Sequence, residues 1–178
     1  MPSPHTVSPK AVLALAACLA VLAIAAGCTP AVQGSVAMNK GDYDAAVAYY
    51  DQALADSPDN SQLLGRKGQA LFHAGHYAEA AQTLDTALDD DPTNALAALY
   101  LKLALIGKGE ADQGFRVLTT ITVQYKPAMS RIVREEAKRL QGAAVMPMDD
   151  LTRRMLTAWE RGRKVQEAID RDLGLNNQ

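Results

Sequence analysis

The stretch Gly41-Asp-Tyr43-Asp-Ala-Ala46 returns 34 residues later as Gly75-His-Tyr77-Ala-Glu-Ala80. The same offset relates further identical residues along the chain: Ala53 and Ala87, Leu54 and Leu88, Pro58 and Pro92, Asn60 and Asn94, Gly34 and Gly68, and Gly75 and Gly109. One period shared by this many positions indicates a chain built from repeated structural units.

Small residues recur where two packed helices would cross within such a unit. We expect Gly68 and Ala80 at this crossing, because helix axes approach closely only where the side chains between them are small. Ala87 is expected at the contact with the next unit. The three glycines spaced by 34 residues accept the positive φ of a tight turn without a Cβ clash. The pattern therefore predicts helix pairs joined by short turns.

Prolines and asparagines mark the helix ends. Pro58 and Pro92 each predict the end of a second helix, because proline disfavours helical geometry in the residue before it. Asn60 and Asn94 follow two residues later. Their side-chain oxygens are suited to accept hydrogen bonds from the free N–H groups that begin the next helix.

These residues together resemble the tetratricopeptide repeat (TPR), a helix-turn-helix unit, over about Pro30 to Thr122. The resemblance implies an all-α fold, a short TPR α-solenoid of about three repeats. The predicted units are a first repeat with helices Pro30 to Lys40 and Tyr43 to Ser57, a second repeat from Ser61 to Asn94, and a third from Ala95 to about Tyr125. The third repeat departs most from the family pattern, at Lys102, Gly114 and Ile121.

The concave groove of a TPR solenoid is lined by its first helices, and the resemblance transfers this role to particular positions. In the second repeat the candidate partner-binding residues are Gln62, Arg66, Gln69, Phe72 and His73. In the third repeat they are Leu96, Leu99, Leu103 and Ile106, within a helix that is apolar almost all round. Two coverings of this apolar row are open: the C-terminal segment of the chain, or an amphipathic helix or extended peptide from a partner.

The residues after the repeats predict two further helices that cap the solenoid. An interruption of helical structure is expected at Pro127, and a helix is expected to follow from Ser130 to Gln141. Asp149 is expected to cap a long helix that ends at Leu173. This helix carries one apolar stripe at helical spacing, and a solenoid needs a terminal cap. We therefore expect Trp159 to pack in the core rather than to anchor a partner.

The N-terminal residues predict a secretion signal. The uncharged apolar run from Ala11 to Ala26 is shorter than the about 20 residues that span a bilayer, as in a secretory signal peptide. Ala25-Ala26-Gly27-Cys28 resembles the bacterial lipobox, which implies cleavage after Gly27 and a lipid on Cys28. Thr29 then implies, by the same resemblance, a periplasm-facing outer-membrane lipoprotein in a Gram-negative cell. An uncleaved membrane anchor is the alternative.

The predicted domain organisation follows from these signals. Residues 1–27 form the lipoprotein signal peptide, residues 28–125 the TPR solenoid and residues 126–178 the C-terminal helical cap. The last two differ in charge: residues 28–125 hold 6 basic and 12 acidic side chains, whereas residues 126–178 hold 11 and 8. The basic tail is expected either to dock on the solenoid or to meet an anionic partner or lipid surface.

Composition narrows the classes of function. Of 178 residues, 48% are apolar, which is enough to bury a core. The 18 basic and 20 acidic side chains give a net charge of −2, without the positive field that phosphate backbones require. Nucleic acid is therefore not an expected partner.

No set of side chains predicts catalysis or a bound cofactor. The resemblance gives Cys28 a lipid, so no free thiol is left for a cysteine–histidine pair. His73, His76 and Glu79 could be proposed as metal ligands, but His76 falls at the turn beside Gly75, where TPR units commonly carry exposed polar residues. Asp89, Asp90 and Asp91 lack the alternating spacing of a calcium loop. We expect neither a metal site nor a small-molecule substrate.

These features predict a non-enzymatic, lipid-anchored TPR adaptor or scaffold. Its partner would be a protein of the cell envelope, in pilus or secretin biogenesis, secretion, or outer-membrane protein assembly. The open alternative is an accessory lipoprotein that docks on and activates a peptidoglycan-processing enzyme.

Overall fold

The computed structural model describes residues 29–141 and 146–175, and all regular structure in these ranges is helical. The eight helices of these ranges are α1 Pro30–Lys40, α2 Tyr43–Asp56, α3 Ser61–His73, α4 Tyr77–Asp90, α5 Ala95–Gly107, α6 Ala111–Leu118, α7 Pro127–Gln141 and α8 Met148–Asp172. The predicted signal peptide and Cys28 lie outside the described residues.

The 34-residue period is confirmed by the helix boundaries. Helices α2, α4 and α6 begin at residues 43, 77 and 111, and helices α3 and α5 begin at residues 61 and 95. Gly41, Gly75 and Gly109 take positive φ values of 75°, 85° and 101° in the turns that precede α2, α4 and α6. Asn60 and Asn94 cap α3 and α5 by accepting hydrogen bonds from Leu63 N and Ala97 N, each at 3.0 Å.

The two helices of the second repeat meet at Gly68. A Cβ added there would lie 2.4 Å from Cγ of Leu84, which is fully buried. Ala80 is also fully buried, but the side chain that occupies the space over Gly68 is Leu84. The first repeat uses the same pair of positions, since a Cβ on Gly34 would lie 2.7 Å from Cε1 of Tyr50.

The third repeat crosses its helices at different residues. Lys102 stands where the first two repeats have Gly34 and Gly68, and the close approach moves to Gly114. A Cβ on Gly114 would lie 2.3 Å from Cγ1 of Ile106 and 2.8 Å from the backbone oxygen of Lys102.

The second helix of the third repeat is short. Helix α6 has 8 residues and ends at Leu118, before the predicted limit near Tyr125. The hydroxyls of Thr119 and Thr120 donate to backbone carbonyls of the last turn. Such local bonds favour a helix end over its continuation.

Two predicted boundaries in the cap are wrong. Pro127 begins α7 instead of preceding a break, because proline is well suited to the first helical position, where its missing N–H costs no hydrogen bond. Asp149 does not cap α8; the cap position is Pro147, and Asp149 lies in the first turn. A carboxylate there still complements the positive end of the helix dipole.

One continuous core joins the last two repeats to the cap. It includes Leu84 of α4, Leu99 and Leu103 of α5, and Leu151 and Met155 of α8. Trp159 is partly buried and packs against the same core, as predicted. The C-terminal helices thus cap the solenoid. None of the helices that the structure describes is both long and apolar enough to cross a membrane.

Candidate functional site

The first helices of the repeats leave an open groove with a polar lining. We name it the polar groove. Its volume is about 670 Å³, and it includes three of the predicted partner-binding residues of α3 and one of α5: Gln62, Arg66, Gln69 and Leu96. Asn39 of α1 lines it as well. Amide side chains carry both donors and acceptors, so this lining is able to pair with a peptide backbone.

The guanidinium of Arg66 is held in place by the first repeat. Its Nη1 donates to Ser35 Oγ at 2.9 Å, and Ser35 Oγ lies 3.3 Å from the hydroxyl of Tyr50. Tyr50 is the same side chain that packs over Gly34. The helix crossing of the first repeat therefore also positions the cation of the polar groove.

The apolar row of α5 is largely occupied by the chain itself. Leu99 and Leu103 are fully buried in the core that contains Leu151 and Met155 of α8. Ile106 packs over Gly114 of α6. Leu96 is partly buried beside a cavity that it shares with Trp159. Leu99 and Leu103 are therefore not accessible to a partner in this structure.

Beyond this row a second space opens between the second repeat and α8. We name it the aromatic cleft. Its volume is about 750 Å³, and Phe72, His73 and Tyr77 form one side of it. The other side consists of residues of α8: Asp149, Thr152, Arg153, Leu156, Thr157, Glu160, Arg161 and Lys164. The predicted residues Phe72 and His73 thus lie apart from Gln62, Arg66 and Gln69, at the other end of α3.

The side of the cleft formed by the second repeat is one face of an aromatic cluster. The ring of His73 stacks on Tyr43 at 5.1 Å between centroids, and Phe72 contacts Tyr77 at 5.4 Å and Tyr100 at 5.3 Å. Such pairs add to the stability that buried area gives. Three repeats contribute to the cluster, so this side of the cleft is held rigidly.

Two titratable groups of the cluster are shifted by burial. Burial lowers the pKa of His73, an effect that the charge of Asp149 partly opposes. Burial also raises the pKa of Tyr100 to about 12, with a further contribution from Tyr43. His73 Nε2 and the Tyr100 hydroxyl lie 3.1 Å apart and are hydrogen bonded. At neutral pH the pair is uncharged and offers hydrogen bonding rather than charge.

The α8 side of the cleft is cationic at one end. Arg153 pairs with Asp150, and Arg163 pairs with Glu160 and Glu167. In the described parts of the chain, no carboxylate lies within ion-pairing distance of Arg161 or Lys164.

The two histidines that were considered as metal ligands, and not expected to hold a metal, have other neighbours. His73 belongs to the aromatic cluster, and His76 lies 3.6 Å from Asp44. Within residues 29–141 and 146–175, no three side chains of His, Cys, Asp or Glu are arranged to hold a metal ion. The polar groove and the aromatic cleft are suited to binding a polypeptide segment.

Sequence reasoning missed Tyr77, which lines the cleft, and Tyr43, which stacks on His73 in the aromatic cluster. Tyr43 and Tyr77 repeat at the 34-residue offset, and each packs at the end of the following first helix, on His73 and over Gly107 respectively. The period itself could have revealed this inter-repeat contact. The α8 residues carry no repeat signal, because α8 has no counterpart in the repeats. Only the basic charge of the C-terminal tail indicated a contact with an anionic partner.

Comparison with known protein families agrees with these features. Two tetratricopeptide-repeat family models match the chain, one over residues 32–95 and the other over residues 71–132. The structure is also similar to the Sgt2 TPR domain from Aspergillus fumigatus, with a TM-score of 0.48, 21% sequence identity and 80% of each chain covered.

Curated relatives share only part of their length with this chain. BBSome complex member BBS4 from Bos taurus is 29% identical over 102 residues, which is 56% of this chain and 20% of that protein. TPR repeat-containing thioredoxin TTL4 from Arabidopsis thaliana is 37% identical over 90 residues, which is 48% of this chain and 12% of that protein. The chain therefore spans a fifth or less of these relatives. The chain therefore contains tetratricopeptide repeats, which the two family models place within residues 32–132.

Proposed function

We propose that this protein is a non-enzymatic adaptor that binds an extended segment of a partner protein in the polar groove. The observation that carries this proposal is the lining of the groove by Asn39, Gln62 and Gln69, with the guanidinium of Arg66 fixed by Ser35. An extended peptide presents N–H and C=O groups along its whole length, and these amides and the guanidinium complement them.

The proposal includes a lipid anchor on Cys28 that holds the adaptor at the cell envelope. Its support is the apolar run from Ala11 to Ala26 and the lipobox-like Ala25-Ala26-Gly27-Cys28. The solenoid begins at Pro30, so the groove would lie close to the membrane surface. An adaptor held there meets envelope proteins during assembly, whether of pili, secretins, secretion systems or outer-membrane proteins.

Replacing two glutamines tests the groove. We expect Gln62→Ala combined with Gln69→Ala to lower the recovery of the crosslinked partner from membranes at least about tenfold, because each change removes a donor and an acceptor. The matched control is Gln52→Ala combined with Gln141→Ala, two exposed glutamines outside the groove. Equal recovery with both double variants would refute groove binding.

The identity of the recovered protein tests the cellular role. Envelope assembly components support the proposal, whereas peptidoglycan-processing enzymes support the accessory role in cell-wall chemistry. Recovery of cytosolic proteins alone would contradict both.

Replacing Cys28 tests the anchor. We expect Cys28→Ser to move the chain from the membrane fraction to the soluble fraction, since the thiol that carries the lipid is gone. Mass spectrometry of the mature N-terminus checks the acylation directly. Retention of the serine variant in the membrane fraction without acylation would contradict the lipobox.

A further inference from the structure

The aromatic cleft is a site separate from the polar groove, and its shape limits what it can hold. Helix α8 borders it from Asp149 to Lys164, about 22 Å at the rise of an α-helix. About seven residues of extended chain have the same length. The cleft is concave and lies between two packed elements, so a flat bilayer surface does not enter it.

The middle of the cleft suits one bulky apolar group. Phe72 and Tyr77 face it from the second repeat, and Leu156 faces it from α8. Pockets that take an anchoring side chain are lined in this way, with aromatic and aliphatic groups around a space that a ring can fill. The aromatic cluster behind Phe72 fixes this side before any ligand arrives.

The charge of the cleft determines which end attracts the acidic groups of a ligand. Arg161 and Lys164 lie toward the later part of α8, and neither is within ion-pairing distance of a carboxylate among the described residues, whereas Arg153 is already paired with Asp150. Glu160 borders the same end, but its carboxylate is paired with Arg163. Asp149 lies at the beginning of α8, near His73. Carboxylates of a ligand are therefore attracted to the end with Arg161 and Lys164 and repelled from the other end.

We propose that the aromatic cleft binds a short peptide segment in which a bulky apolar side chain lies next to acidic residues. The apolar side chain contacts Phe72, Tyr77 and Leu156, and the carboxylates contact Arg161 and Lys164. This inference rests on the proposed function, because it takes the ligand to be a polypeptide. It adds a second subsite and the chemistry of the segment that enters it.

Three labelled peptides test the proposal by fluorescence anisotropy with the full chain. Their sequences are Gly-Ser-Phe-Glu-Glu, Gly-Ser-Phe-Gln-Gln and Gly-Ser-Ala-Glu-Glu. We expect the first to bind at least about tenfold more tightly than either of the others, and its affinity to fall as salt screens the carboxylates. Equal binding of the glutamine peptide, or binding of none of the three, would overturn the proposal.

Paired charge reversals identify the cations. We expect Arg161→Glu combined with Lys164→Glu to lower the affinity for the first peptide at least about tenfold. The control, Lys126→Glu combined with Arg171→Glu, changes the net charge equally at exposed positions outside the cleft and should leave the affinity unchanged. Thermal unfolding by circular dichroism checks that both proteins are folded. Equal weakening by both double variants would refute the assigned cations.

The apolar contact and the ligand class need separate tests. Leu156→Asn should lower the affinity for the first peptide, whereas Leu156→Met should leave it unchanged. If neither change alters the affinity, the assigned anchor site is wrong. Binding of phosphatidylglycerol vesicles with the same dependence on Arg161 and Lys164 would make these cations a lipid-binding surface and would also overturn the proposal.

The cleft and the polar groove can fail independently. If Gln62→Ala and Gln69→Ala abolish partner capture while the charge reversals have no effect on peptide binding, only the cleft inference fails. If the charge reversals weaken the peptide while the glutamine changes leave partner capture intact, only the polar-groove proposal fails.

Discussion

The second repeat and the C-terminal hairpin of α7 and α8 are both pairs of helices with buried apolar side chains, but the hairpin adds buried polar contacts. In the second repeat, Leu84 fills the space over Gly68, and both residues are buried. In the hairpin, the buried Glu136 accepts a hydrogen bond from Arg154 Nε at 2.9 Å, and Gln166 Oε1 accepts one from Ala128 N at 3.0 Å.

The hairpin also has one close helix approach. A Cβ on Gly162 would lie 3.0 Å from Cα of Met129. Polar contacts surround this point and tie α7 to the preceding loop, where Ser130 Oγ accepts from Val123 N and Arg134 donates to the carbonyl of Ile121.

This difference follows from repetition. A repeat interface is used more than once in the chain, so its small residues return at a fixed period. The hairpin occurs once, and its polar contacts join residues as far apart as Ala128 and Gln166. A capping unit must fit one particular end of a solenoid, and buried hydrogen bonds favour a single arrangement.

The largest expected effect is the loss of the buried side chain in the second repeat. Leu84→Ala leaves a cavity at the helix crossing and should lower the free energy of unfolding by about 2–5 kcal/mol. Urea unfolding measures this change. Leu173→Ala, at an exposed position beyond α8, should change it by less than about 0.5 kcal/mol. Similar losses in both variants would mean that Leu84 is not the central contact.

Adding a methyl group at Gly68, the residue that faces Leu84, tests the same contact from the other helix. Gly68→Ala should cost about 1–3 kcal/mol, because its Cβ would overlap Leu84 in a closed core. Gly65→Ala lies on the same helix, and the nearest atom to its Cβ is 3.4 Å away, on Asn94. This second change should stabilise the protein by up to about 1 kcal/mol, since alanine favours helix. Differential scanning calorimetry separates the two, and equal effects would contradict the assigned crossing.

Two neighbouring arginines test the polar contacts of the hairpin. Arg154→Met should cost about 1–2 kcal/mol, because it removes hydrogen bonds to the buried carboxylate of Glu136 while Arg154 itself is half exposed. Arg153→Met breaks only an exposed pair with Asp150 and should cost less than about 0.5 kcal/mol. If urea unfolding gives the same value for both, Glu136 does not anchor the hairpin.

A smaller effect is expected at the start of α7. Gln166→Ala removes the acceptor for Ala128 N, one of the N–H groups without a partner inside the helix, and should cost about 1 kcal/mol. Gln52→Ala provides an exposed control in α2. Hydrogen exchange at Ala128 reports on the site itself, and unchanged protection in the Gln166 variant would argue against this cap.

The smallest effect is a pH dependence that links the two regions across the cleft. Burial lowers the pKa of His73 below its ordinary value of 6.5, so the unfolded chain binds this proton more readily. Stability from the neutral ring is therefore complete above pH 6.5 and is lost as pH falls below it. The stability of the wild type relative to His73→Gln should decrease between pH 8 and pH 5.

Asp149→Asn should make this decrease steeper, because the charge of Asp149 partly opposes the shift of His73. Chemical unfolding at several pH values measures both effects. If the slope is the same with and without Asp149, α8 does not act on His73 across the cleft.

Much of the fold could be predicted, because the residues that determine each repeat recur in the next one. The bounds of α1 agree with the predicted residues 30–40, and the caps at Asn60 and Asn94 form as expected. The boundaries that failed, at Pro127 and Asp149, lie in the cap, which has no second copy to reveal its pattern. The candidate site was predicted in part: α3 supplies residues to both spaces, but their separation depends on where α8 lies.

The sequence by itself determined the helix pairs, their turns and their stacking, because small residues, glycines and capping side chains act through local sterics and hydrogen bonds at a fixed period. Only the tertiary structure decided that Leu99 and Leu103 are buried, that Ile106 packs over Gly114, and that Arg161 and Lys164 border an aromatic cleft. These outcomes depend on tertiary contacts between side chains of different helices, which no local pattern records.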